Sequence, residues 1–77
     1  MDVEVLRKIF EGDPNNVQIR KEEVIDVVYD SGPVVSIYTG SKHASFHDEF
    51  TQIAPGIPVL RTLIERLEAE GYSMNID

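Results

Sequence analysis

The chain contains no cysteine. Disulfides, thiolate zinc sites and cysteine nucleophiles are therefore excluded. No apolar run approaches the ~20 residues that a membrane span needs. Positive charge is scarce: seven Lys and Arg stand against fourteen Asp and Glu, a net charge of −7. That balance argues against electrostatic capture of nucleic acid or of an anionic membrane. The Asp-x-Asp-x-Asp-Gly spacing of a calcium loop does not occur, and the glycines form no phosphate-cradling run. There is no repeat and no low-complexity stretch. The opening residues, Met1-Asp2-Val3-Glu4, are acidic where a secretory leader would be basic. These absences point to a cytoplasmic protein that uses neither cofactor nor metal.

What is present is a globular balance, with 42 % apolar and 27 % charged residues over 77 positions. Residues 1–77 read as one small domain. A chain this short buries only about 60 % of its unfolded surface. Its stability should be on the order of 4–10 kcal/mol. With no cysteine staple, it relies on packing, on dimerisation or on a partner.

Val3, Leu6, Ile9 and Phe10 fall at helical spacing, which predicts a helix over 2–11. Gly12 and Pro14 end it. Residues 17–29 predict a strand, bent near Lys21 and clearest over 23–29. The odd positions Ile25, Val27 and Tyr29 share one face, with Val24 and Val28 on the other. Asp30-Ser31-Gly32-Pro33 has turn chemistry. Residues 34–39 and 42–47 predict a hairpin about the two-residue loop Gly40-Ser41. Pairing outward from that loop sets Tyr38 against His43, Ile37 against Ala44, Ser36 against Ser45 and Val35 against Phe46. Apolar and polar residues then separate cleanly onto two faces, as a correct register requires.

Residues 45–54 allow a second reading, because Phe46, Phe50 and Ile53 are helically spaced. The resolution expected is strand to Phe46, then a short helical turn over 48–53. Pro58 opens the last helix, Val59, Leu60, Leu63, Ile64 and Leu67 form its stripe, and Gly71 ends it. Tyr72, Met74 and Ile76 alternate, as in an added edge strand. The expected fold is α+β, in the order α-β-β-β-α. An antiparallel meander of about three strands carries an N-terminal and a C-terminal amphipathic helix on one face.

Candidate functional residues form two sets, and none is assigned a catalytic or metal-binding role. The first is the outer sheet face: Tyr38, His43, Ser36 and Ser45, with Val24 and Val28 from a strand apolar on both sides. Strands covered twice read this way, so this face is expected to meet a protein partner or a second copy in a homodimer. The second is the acidic surface of Glu65, Glu68 and Glu70, suited to a basic partner. As strand residues, His43 and His47 would lie ~13 Å apart at ~3.3 Å per residue, too far to share an ion. The function expected is a small acidic, non-enzymatic interaction module: an adaptor, regulator or inhibitor of a larger protein. The alternative is a small hydrolase or nuclease using the His43–Tyr38 pair.

Overall fold

The computed structural model describes residues 1–30 and 32–77. Helix α1 covers Val3–Ile9, with Asp2 capping it by accepting a hydrogen bond from the Val5 N–H at 3.0 Å. A single 3-10 turn, Pro14–Asn16, leads into β1, Val17–Lys21. Then come β2 (Val24–Tyr29), β3 (Gly32–Tyr38) and β4 (His43–Phe46). A short helix α2 (Phe50–Ile53) and a 3-10 turn (Ala54–Gly56) precede α3, Pro58–Ala69. Strand β5, Ser73–Met74, follows.

The five strands form one sheet in the order β1-β2-β3-β4-β5. The fold is α+β as expected, but the sheet has more strands. The segment 17–29 is a hairpin and not one bent strand. Its chain reverses at Glu22-Glu23, with Glu23 in the left-handed region at φ 67°. No glycine, proline or asparagine marks this turn; only the break in apolar alternation at Lys21 and Glu23 betrays it. The tail adds β5, which runs parallel to β4 because α3 carries the chain back across the sheet.

The β3–β4 register is the one read from the sequence: Val35 on Phe46, Ser36 on Ser45, Ile37 on Ala44, Tyr38 on His43. The loop differs. Thr39 and Lys42 lie outside the ladder, so it has four residues, and Lys42 takes φ 52°. Four-residue loops commonly close in this way about a type I turn. Gly32 and Pro33, expected in a turn, already belong to β3: Gly32 pairs with Tyr29 and takes φ 119°, a conformation side chains rarely tolerate. Ser31 lies outside the described residues.

Ile25, Val27, Val35, Ile37, Ala44 and Phe46 form the core with Leu6, Leu60, Leu63 and Leu67 of the helices. A bulge opposite Val27 adds Val34, so adjacent residues Val34 and Val35 are both fully buried. Helix α3 ends in a Schellman motif. The Tyr72 N–H donates to the Leu67 carbonyl at 2.9 Å and the Gly71 N–H to that of Glu68 at 3.0 Å, with Gly71 at φ 81°.

Past β5, Asn75 continues the ladder with its side chain. Its Oδ1 accepts from the Phe46 N–H at 2.6 Å, and its Nδ2 donates to the Phe46 carbonyl at 2.8 Å. The amide thus imitates one residue of backbone. Asn75→Ala removes both partners and should cost about 1–3 kcal/mol, read from urea denaturation. Leu63→Ala, at the centre of the helix–sheet contact, should cost about 2–5 kcal/mol in the same assay, a large part of the total.

Candidate functional site

The outer face of the sheet is built by strand alternation. Residues with odd numbers in β2 turn to the helices, and even ones turn away. Across β3, β4 and β5 the outward row is Tyr38, His43 and Ser73. Arg20 of β1 joins it: the guanidinium lies 5.9 Å from the Tyr38 ring centre and donates to the Tyr38 hydroxyl at 3.4 Å. The Tyr38 and His43 rings stack with centroids 6.4 Å apart. His43 Nδ1 and the Ser73 hydroxyl are hydrogen-bonded at 2.8 Å. The hydrogen bond to Tyr38 raises the Arg20 pKa, with Asp26 adding to it.

The next row is Asp26, Ser36 and Ser45. Asp26 Oδ2 pairs with Arg20 Nε at 3.1 Å, while its Oδ1 is buried with no partner. Ser36 Oγ is hydrogen-bonded to His47 Nε2 at 2.9 Å. That distance suits a hydroxyl and its base, but Ser36 is only 3 % exposed and closed to a substrate. Val24 is 5 % exposed, and Val28, Ser45, Tyr38 and His43 are half-buried. The face therefore presents Tyr38, His43 and Arg20, while Ser36 and Val24 lie beneath. Arg20, Asp26, His47 and Ser73 are the members that sequence reading missed. Their positions depend on a hidden turn, a strand end and a tail. Among the described residues, no three His, Asp or Glu side chains could hold a metal ion together.

The acidic set divides. Glu70 accepts from the Met1 ammonium at 2.7 Å and from Arg66 Nε at 2.7 Å. The ammonium's hydrogen bond, then Arg66's, holds its carboxyl below the ordinary glutamate value. It is a structural anchor and not free surface. Glu65 and Glu68 stay exposed, Glu65 paired with Arg61 at 3.5 Å. With Asp77 and Arg61 they line a cleft that also takes in Pro55, Ile64 and Ile76. Three carboxylates and one guanidinium thus surround an apolar floor.

No family model, no curated protein and no solved structure matches the chain. No helix among the described residues is long and apolar enough to cross a membrane.

The lowered Glu70 pKa has a defined pH signature. Its stabilisation is present above the unfolded pKa and is lost as pH falls through the lower folded value. Glu70→Gln should destabilise by up to about 1 kcal/mol at pH 7. The gap to the parent chain should close on acidification through pH 4, as followed by thermal melts at several pH values.

Proposed function

We propose that this chain is a small acidic, non-enzymatic interaction module. On this reading it acts in the cytoplasm as an adaptor, regulator or inhibitor of a larger protein with a basic surface. The observation that carries the reading is the cleft between α3 and the C-terminal tail. Glu65, Glu68 and Asp77 stand around Ile64, Ile76 and Pro55. An apolar floor supplies burial, and a charged rim supplies steering and partner choice. The net charge of −7 extends that field over the whole chain.

A hydrolase or nuclease reading draws on a different feature. Arg20 puts a cation beside the Tyr38–His43 pair. Against it, the pair lies on an open sheet face, and Arg20 is already engaged by Asp26 and Tyr38. His43→Ala should lose at most about 1 kcal/mol of stability and leave the biological activity intact. Loss of activity with an unchanged fold would favour the enzyme.

A tagged pull-down at low and at moderate salt tests the module. The expected result is one stoichiometric basic protein that leaves as salt rises. The double reversal Glu65→Lys, Glu68→Lys should abolish that capture while the thermal midpoint moves by no more than a few degrees. Recovery of the bait alone, or capture indifferent to the reversal, would overturn the reading. Glu70 is left intact because its replacement disturbs the fold.

A further inference from the structure

Burial in the tail stops at Tyr72, which is 6 % exposed. Beyond it, Met74 and Ile76 are half-buried, and Ser73, Asn75 and Asp77 are exposed. The hold of this segment on the fold is largely polar. The Ser73 N–H donates to the Lys42 carbonyl at 3.0 Å, and the Asp77 N–H to the Thr51 carbonyl at 2.8 Å. Between them Asn75 bonds Phe46 through its side chain. A segment with little buried apolar surface and exposed hydrogen bonds opens at a lower free energy than the core around it.

Two of these residues, Ile76 and Asp77, also wall the acidic cleft, opposite Ile64, Glu65 and Glu68 of α3. We propose that residues 73–77 are a strap that docks beside β4 and releases as a unit, and that the acidic cleft is complete only while the strap is docked. Control of a partner by the strap rests on the function proposed for the cleft; the opening of the strap does not. Asn75 is the positioning residue of this device. It lines no part of the cleft, and its amide pair with Phe46 fixes where Ile76 and Asp77 fall.

Charge sets the sign of the coupling between strap and cleft. Docking brings Asp77 to the cleft that Glu65 and Glu68 line, where Arg61 is the one cation among the lining residues. Glu65 already engages that guanidinium at 3.5 Å. The docked strap therefore carries like-charge repulsion, modest at an exposed site and screened by salt. A basic segment seated in the cleft cancels the repulsion and favours docking. Coupling between two sites is reciprocal, so the docked strap favours the basic segment by the same factor. The strap thus makes the cleft a conditional site, weak when residues 73–77 are released.

Neighbouring amides make the test direct. The Phe46 N–H is held by the strap, through Asn75 Oδ1 at 2.6 Å, while the His47 N–H crosses to the Val34 carbonyl of β3 at 2.9 Å. Amide-resolved hydrogen exchange is measured on the full chain, under conditions where protection reads the opening equilibrium. Phe46 should show at least about tenfold less protection than His47, and Ser73 should match Phe46 within about threefold, because one opening exposes both. Glu68→Gln, or a rise from about 0.02 M to about 0.3 M salt, should narrow the gap between Phe46 and His47 about twofold by relieving Asp77. Equal protection of Phe46 and His47, or a Ser73 amide as protected as His47, would overturn the strap. A gap that neither Glu68→Gln nor salt narrows would overturn its coupling to the cleft. These readouts need no partner, so an empty pull-down counts against the interaction module alone.

Discussion

Strand β3 is paired on both sides, and Val34, Val35, Ser36 and Ile37 within it are all buried. Everything else depends on its register. Shifting it by one residue against β4 would turn Ser36 and Tyr38 toward the helices and Val35 and Ile37 toward solvent. The bulge at Val34 lets two consecutive valines reach the core, where strict alternation would have admitted one. Helices α1 and α3 then close the apolar face of the sheet.

Among the described residues no helix covers the other face, and its own side chains do that work. Arg20 lies over Tyr38, Tyr38 stacks on His43, and His43 bonds Ser73, so one row ties four strands together. Beneath it, Ser36 and Val24 are buried without any second layer. The face is polar and internally bonded, unlike the apolar surface of an obligate interface. The large apolar side chains that stay exposed lie elsewhere, Ile19 on the β1 edge and Ile53 in α2.

Charge is distributed with a comparable division of labour. Asp26 and Glu70 are taken up by Arg20, Arg66 and the Met1 ammonium. Such pairs fix geometry more than they add stability. Glu65 pairs with Arg61 at the surface, and Glu68 stands exposed one turn on, so the outer side of α3 keeps an acidic character.

Much of this was legible along the chain, for local reasons. Period-two alternation around Gly40-Ser41 determined the β3–β4 register, and Pro58, the Leu63 stripe and Gly71 bounded α3. The strand end at Phe46 and the helical turn after it were likewise readable. The Glu22-Glu23 reversal was not, because it uses a left-handed glutamate where turns ordinarily announce themselves with glycine or asparagine. Nor could local pattern show that Glu70 meets residue 1, that Asn75 stands in for backbone beside Phe46, or that Arg20 lies over Tyr38. The sequence by itself determined the β3–β4 register and the bounds of α3, since those follow from periodicity and caps. Only the tertiary structure decided which polar groups meet and which carboxylates stay free. Those contacts join side chains far apart along the chain, and the sheet order brings them together.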